Sequence, residues 1–202
     1  MKISVAMAYY NGGTYIEEQM ESILMQLGEK DELIVSVDGA TDGSEPLLLK
    51  MADMDKRIHI IKGPGKGVVK NFENAIRHCV GDIIYLSDQD DIWKPDKVEK
   101  TNAAFLDPEV KAVLHDAEIV DENGVPTGGE SLFSLRDSKA GILKNILKNS
   151  YVGCCMAFRR ELVPVICPIP KEMYMHDYWI GTAAEYMGRV CFLKEPLIGY
   201  RR

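Results

Sequence analysis

The chain has 202 residues, 46% hydrophobic and 27% charged, enough for one substantial domain around a single buried core. Its formal charge of −7 argues against general affinity for nucleic acid, which needs a basic surface, so a phosphate-bearing ligand must be met by local basic groups, backbone amides or a cation. No apolar run reaches the roughly 18 residues of a membrane-spanning helix, the opening MKISVAMAYYNGG turns polar before a signal-peptide core could form, and five cysteines without paired CxxC spacing suggest neither a disulfide framework nor a zinc cluster. A cytoplasmic protein is expected, with peripheral contact at the inner face of a membrane left open.

Ile3 to Ala8 reads as a first strand. Thr14 and Glu17 have capping-box spacing ahead of Ile16, Met20, Ile23, Leu24 and Leu27, which recur on one helical face, and Gly28 is placed to end that helix. Glu32 to Val37 is rich in β-branched residues and stops at the turn-forming Asp38-Gly39, predicting a second strand. Pro46 fits the first turn of a helix running to about Asp53, and Ile58 to Ile61 gives a third strand. The glycine-rich GPGKG that follows, at 63–67, lacks Walker spacing and is read as a loop. Phe72, Ala75, Ile76 and Cys79 mark a third helix, and Ile83 to Leu86 a fourth strand. Past Trp93 the pattern loosens: a helix from Pro95 to about Leu106, a strand from Val110 to Leu114, a turn at Asp121-Glu-Asn-Gly124, and a helix through Met187 for which Asp177 is a candidate N-cap. Residues 126 to 138 carry little periodicity and are expected to form a mobile loop near the site.

Successive strand-helix units with strands apolar nearly throughout predict an α/β fold of Rossmann-like character, its central sheet mostly parallel and covered on both faces. The second half reads as mixed, and no domain boundary is visible. Ligands of such sheets bind outside the carboxyl ends of the strands. Tyr9-Tyr10-Asn11, Asp38-Gly39 and Ser87 to Asp91 all fall there, so three loops should converge on one crevice.

The fourth strand runs into Asp88, Asp90 and Asp91, three carboxylates within four positions. Two carboxylates about 5 Å apart repel by roughly 3 kcal/mol at an effective dielectric near 20, so the cluster needs compensation. A divalent cation would supply it, and oxygen-only ligands suit Mg²⁺ or Mn²⁺. On extended backbone Asp88 and Asp90 would share a direction, Gln89 would point away and Asp91 would support from behind. The plainer alternative is a solvated turn that caps the Pro95 helix. An EF-hand fails because Trp93 stands where the sharp turn needs Gly. A phosphatase with an aspartyl nucleophile would prefer its motif on the first strand.

Taken together, Ser4 to Gly12, Val37 to Gly43, Gly67 to Phe72, Ser87 to Trp93 and His176 to Trp179 resemble, in family order and over nearly the whole chain, the family-two glycosyltransferases of GT-A fold, most closely their rhamnosyltransferase-like bacterial branch. The resemblance implies one GT-A catalytic domain over 1–202, with a nucleotide-sugar-binding half at 1–93 and an acceptor-binding half at 94–202. It implies a nucleotide-diphosphate sugar donor, with uridine or thymidine diphosphate favoured, and Mn²⁺ or Mg²⁺ as cofactor. Ala8, Tyr10 and Asn11 would lie beside the nucleoside, Asp38 would hydrogen-bond the base, and Lys70 and Asn71 would lie near the diphosphate. Asp88 and Gln89 would contact the nucleotide sugar, Asp90 would be the principal metal ligand with Asp88 beside it, and Asp91, Trp93 and His176 would be supporting residues. Asp177 matches the family's general base, a role a carboxylate within reach of an acceptor hydroxyl can fill.

By the same resemblance the reaction is an inverting transfer to a saccharide or lipid-linked saccharide in surface-polysaccharide or glycolipid assembly. Val37 and Ala40 depart from the family's paired acids and serine but spare Asp38. The chain stops at Gly199-Tyr-Arg-Arg202, where relatives continue to a histidine that can complete the metal site, which suggests a truncated catalytic domain. The competing readings are a nucleotide-sugar-binding module without catalysis and a metal-dependent phosphohydrolase.

Overall fold

A computed structural model describes residues 1–202, less the side chains at 143, 146 and 147. Strand and helix alternate through the first half: β1 (Ile3–Tyr9), α1 (Ile16–Leu24), β2 (Glu32–Val37), α2 (Glu45–Met54), β3 (Ile58–Lys62), α3 (Val68–His78) and β4 (Ile83–Ser87). β1 pairs in parallel with β2 and β4, and β3 in parallel with β2. Both faces of β1, β2 and β4 are covered, which explains why they are apolar nearly throughout. Side chains still alternate between two cores: Val5, Met7, Leu33, Val35 and Tyr85 pack with Ile16, Met20 and Leu48, while Ala6, Ile34, Ile84 and Leu86 pack with Phe72 and Ile76. Each such buried Leu, Ile, Met or Phe contributes about 1.5–3 kcal/mol relative to exposure.

The second half comprises β5 (Ile92–Trp93), α4 (Lys97–Ala104), β6 (Val110–Val120), α5 (Leu132–Arg136), α6 (Ile142–Leu147), a 3₁₀ turn at Gly153–Cys155, β7 (Met156–Arg159), α7 (Val163–Ile166), α8 (His176–Met187) and β8 (Arg189–Arg201). The eight strands form one sheet in the order β3-β2-β1-β4-β7-β6-β8-β5. β7 is antiparallel to both β4 and β6, β8 is parallel to β6, and β5 is antiparallel to β8. The expected α/β sandwich, parallel first and mixed later, is therefore the observed one. Ile180 and Ala184 of α8 join the core beneath α3, which brings α8's first turn to the same edge as the ends of β1 and β4. Among the described residues no helix is long and apolar enough to cross a membrane.

Several local expectations are corrected. Thr14 and Glu17 form no capping box: Tyr15 occupies the N-cap without a side-chain bond, and the amides of Tyr15 and Ile16 donate to the Gly12 carbonyl at 3.1 and 3.2 Å. α1 ends at Leu24, and Gly28 instead starts a turn in which its amide donates to Asp31 Oδ2 at 2.8 Å. Residues 126 to 138 are not wholly loop. α5 forms inside them, with Leu132 and Phe133 buried and the Phe133 amide donating to Asp116 Oδ1 at 2.8 Å. Five helical residues are too few to show a period in sequence, and the two of β5 fewer still.

Candidate functional site

A cavity of about 560 Å³ opens at the carboxyl ends of β1 and β4. Ala8, Tyr10, Asp38, Asn71, Asp88, Gln89 and Asp90 line it, together with Gly65, Gly67, Val68, Tyr200 and Arg201. Its wall is held by side chains acting as backbone substitutes. Gln89 exchanges two hydrogen bonds with the main chain of Tyr10, so it faces the cavity rather than turning away as extended backbone would require. Backbone bends at Gln89 and Asp90 are the reason. Asp38 accepts from the amides of Gly65 and Gly67, the latter at 3.3 Å, and so ties down the GPGKG loop. Gly65 and Gly67 sit at φ +65° and +83°, where a Cβ would strain the chain. Asn71 donates to the Tyr9 carbonyl at 3.3 Å, and its Oδ1 is buried without a protein partner.

Two residues expected in this crevice lie outside its lining. Asn11, in the left-handed region at φ +52°, turns its side chain onto Thr41, accepting from the Thr41 amide at 2.7 Å. It staples the β1 and β2 loops together. Lys70 lies on a different flank of α3, its Nζ donating to Glu73 at 2.6 Å and to the Ile169 carbonyl at 2.7 Å, beside Lys66, Arg77 and Lys171. One helical step of about 100° separates it from Asn71.

Asp88 and Asp91 come together with Cys154, one ligand atom of each lying within 4.8 Å of the others. Burial, then the neighbouring charges of Asp91, Asp90 and Asp177, holds the Asp88 carboxyl above the usual carboxylate range. Burial and then Asp90 do the same to Asp91, whose Oδ2 has no hydrogen-bond partner. Crowded carboxylates and an orphaned buried oxygen fit a hard divalent cation. Cys154 is kept a neutral thiol by a hydrogen bond with the Cys155 side chain and by burial, so it is a neighbour of such a site rather than a thiolate ligand. Asp90 lines the cavity alongside Asp88, and its carbonyl accepts from Arg201 Nε at 2.8 Å.

Behind the acids lies Lys97, fully buried, its Nζ donating to the Cys154 carbonyl at 3.1 Å and sitting 3.8 Å from the centre of the Trp93 ring. Burial pushes its pKa down to about 8. Trp93 itself is 3% exposed, with no face open for stacking on a sugar. It supports the site from inside the core.

A second cavity of about 560 Å³ adjoins the first, sharing Val68, Asp88 and Tyr200 with it. Its further lining includes Asp177, His176, Gly153, Asn149, Arg136 and Tyr174. Asp177 is in the first turn of α8, whose N-cap is Met175, so it is not the cap. Its Oδ1 accepts from the Tyr178 amide at 2.6 Å and from Asn149 Nδ2 at 3.4 Å, and burial raises its pKa. His176 stacks on Phe72 with ring centres 3.9 Å apart, and burial lowers its pKa to about 3. It joins α8 to α3 as a neutral ring.

Lys97, Asn149, Cys154 and Arg136 carry no local sequence signal, because they reach the site only through long-range packing. The sequence signal for Arg201 was its Tyr-Arg pairing.

The family model described as "Glycosyl transferase family 2" matches residues 4–166. An uncharacterised glycosyltransferase of Nostoc sp. is 27% identical over 209 residues, spanning 100% of this chain and 65% of that protein. Among solved structures, S. aureus TarS 1-349 in complex with UDP-GlcNAc superimposes with a TM-score of 0.78 at 19% identity, covering 100% of this chain and 59% of that one. The mannosyltransferase PcManGT from Pyrobaculum calidifontis, in complex with GDP-Man and Mn²⁺, gives 0.70 at 22% identity, covering 96% and 54%. At these identities the structural likeness is one of fold. The chain spans about three fifths of the length of these relatives.

Proposed function

The chain belongs to glycosyl transferase family 2, and on that premise we propose that it moves a sugar from a nucleotide-diphosphate sugar to an acceptor hydroxyl with inversion at the anomeric carbon. The observation that carries this reading is the pair of adjoining cavities with Asp88 on their common wall. The donor takes the first, where Ala8, Tyr10 and the Asp38-held loop contact the nucleoside and Asn71 Oδ1 and Gln89 contribute polar contacts. The acceptor takes the second, beside Asp177. Residues 1–93 thus supply most of the donor side and 94–202 the acceptor side, with Tyr200 and Arg201 crossing over to the donor.

Asp88, Asp90 and Asp91 would hold Mn²⁺ or Mg²⁺, which when bound neutralises charge developing on the departing diphosphate. Asp177 accepts the proton of the acceptor hydroxyl as that oxygen attacks the anomeric carbon. The bond from that carbon to the diphosphate oxygen breaks, and its electron pair leaves with the nucleoside diphosphate. A raised carboxylate pKa strengthens Asp177 as a base near neutral pH. Arg201, 5% exposed at its side chain and pinned to Glu18 and Asp90, brings a fixed positive charge to the donor wall. The donor is a uridine or thymidine diphosphate hexose or deoxyhexose, and the acceptor a saccharide or lipid-linked saccharide of surface-polysaccharide or glycolipid assembly at the inner face of a membrane.

The test is a panel of nucleotide sugars with and without Mn²⁺, read as transfer and as donor hydrolysis. Asp90→Asn should lose metal-dependent turnover, whereas Asp177→Asn should bind donor normally and lose transfer by roughly 10²–10⁴-fold. Full metal-dependent turnover in Asp90→Asn, or parallel loss of donor binding and transfer in Asp177→Asn, would contradict the assignment.

A further inference from the structure

The acceptor-side cavity contains a cation that the reaction as described does not use. Arg136, half-buried at the end of α5, lines it together with Asp177 and Asp88. Among the described residues Arg136 makes no hydrogen bond and no ion pair, whereas Arg201 is held by Glu18 and by the carbonyls of Asp90, Asp121 and Glu122. Nor is it ion-paired with Asp177, whose Oδ1 accepts from Asn149 and the Tyr178 amide, although the guanidinium charge is near enough to offset part of the upward shift of that carboxyl. A guanidinium with its planar set of N–H donors free is a fork for a carboxylate or phosphate.

That anion does not come from the donor, because Arg136 is not part of the donor cavity's lining. Two neighbours indicate a bound saccharide. His176, 3% exposed, lines the same cavity with both ring nitrogens unpartnered, which leaves hydrogen-bonding capacity for a ligand hydroxyl. Tyr174 is 65% exposed and stacks with Tyr178 at 5.8 Å and 26°, presenting an aromatic face at the cavity rim where a sugar ring can lie. Electrostatics point the same way: an anionic acceptor beside Asp88 and Asp177 would be repelled, and one unpaired guanidinium between the cavity walls offsets that repulsion.

We propose that the acceptor is a saccharide carrying an anionic group, a carboxylate or a phosphate, that Arg136 binds while the sugar ring rests on Tyr174. The proposal rests on the glycosyltransferase reading above and deepens it: it names the acceptor's chemistry, and Arg136 is a specificity-determining residue.

The experiment compares three acceptors of similar size, a neutral disaccharide, a uronic-acid-terminated disaccharide and a phosphate-substituted disaccharide. Wild-type protein, Arg136→Gln and Arg136→Lys are assayed with the best donor, and donor hydrolysis without acceptor is the independent readout. At least one acidic acceptor should have a KM tenfold or more below that of the neutral one, and which arm responds separates carboxylate from phosphate. Arg136→Gln should raise that KM about tenfold while leaving donor hydrolysis and the neutral acceptor's KM within twofold. Arg136→Lys should recover part of the loss and guards against a folding defect in the glutamine variant. Equal KM values for acidic and neutral acceptors, no transfer to either acidic acceptor, or a loss in Arg136→Gln shared by the neutral acceptor would overturn the inference while donor hydrolysis leaves the glycosyltransferase reading intact. Absence of donor turnover in wild-type protein would remove both.

Discussion

Gln89 and Tyr10, 79 residues apart, are joined by two hydrogen bonds through one carboxamide: the Tyr10 amide donates to Gln89 Oε1 at 2.8 Å, and Gln89 Nε2 donates to the Tyr10 carbonyl at 3.0 Å. The side chain thereby adds a rung between β1 and β4 where their own ladder has ended. Gly12 is part of the same fit, since a Cβ there would lie 2.5 Å from the Gln89 side chain.

Gln89→Glu replaces the donating nitrogen with a charged oxygen facing the Tyr10 carbonyl. The donor Kd should rise about tenfold, equivalent to about 1.4 kcal/mol, with kcat nearly unchanged. Titration calorimetry with the nucleotide sugar checks it, and unchanged affinity would mean the rung does not shape the donor wall.

Lys70→Met should leave donor affinity within twofold, because the ammonium is committed to Glu73 and Ile169 on another flank of α3. A tenfold loss of donor binding, measured the same way, would return Lys70 to the diphosphate. The variant should lose roughly 1 kcal/mol of stability, since Glu73 is nearly buried and keeps its bonds from Arg77 and the Ile169 amide.

The outcome for Lys70 illustrates what could be read from residues alone. Largely apolar runs such as Glu32–Val37 and Ile83–Ser87 announce buried parallel strands, and chain order then places the residues after them at one crevice. Direction is harder: a single helical step moves Lys70 out of the cavity, and a left-handed backbone turn does the same to Asn11. Trp93 follows a polar motif, yet its indole is packed against Tyr85 and Lys97, the kind of support from inside the core that a local pattern does not reveal. Arg136 and Asn149 have no local pattern at all, being carried to the site by how α5 and the 149–155 segment pack.

Asp88→Asn should stabilise the metal-free protein. Its folded pKa is raised, by burial first and then by Asp91, Asp90 and Asp177, so ionisation opposes folding above the unfolded pKa and the penalty disappears on acidification. In chelator at pH 7.5 the melting temperature should increase, by about 1 kcal/mol of unfolding free energy. Adding Mn²⁺ should raise the wild-type melting temperature and leave that of the variant where it was. A destabilised variant in chelator would show that Asp88 is a structural acceptor.

Glu32 carries the opposite sign. Burial alone would raise its carboxyl, but Ser4, the Val80 amide at 2.7 Å and Lys2 at 3.2 Å outweigh it and hold the pKa below the usual range. Its contribution is therefore complete above the unfolded value of about 4.3 and is lost as pH falls through the lower folded value. Urea denaturation at pH 7 should show Glu32→Gln less stable by about 2 kcal/mol, with a shallower decline than wild type between pH 5 and 3. Parallel curves for the two proteins would count against it.

Asp88 stands on the wall between the two cavities, so a substitution there cannot give a clean phenotype. Donor KM, acceptor KM and turnover should move together, and a mutational scan would score position 88 as broadly intolerant without saying why. The separable positions are the outlying ones: Tyr10 on one side, Arg136 on the other. Directed evolution toward new sugars or new acceptors has room to work at those two rims, one substrate at a time, while the partition between them stays invariant.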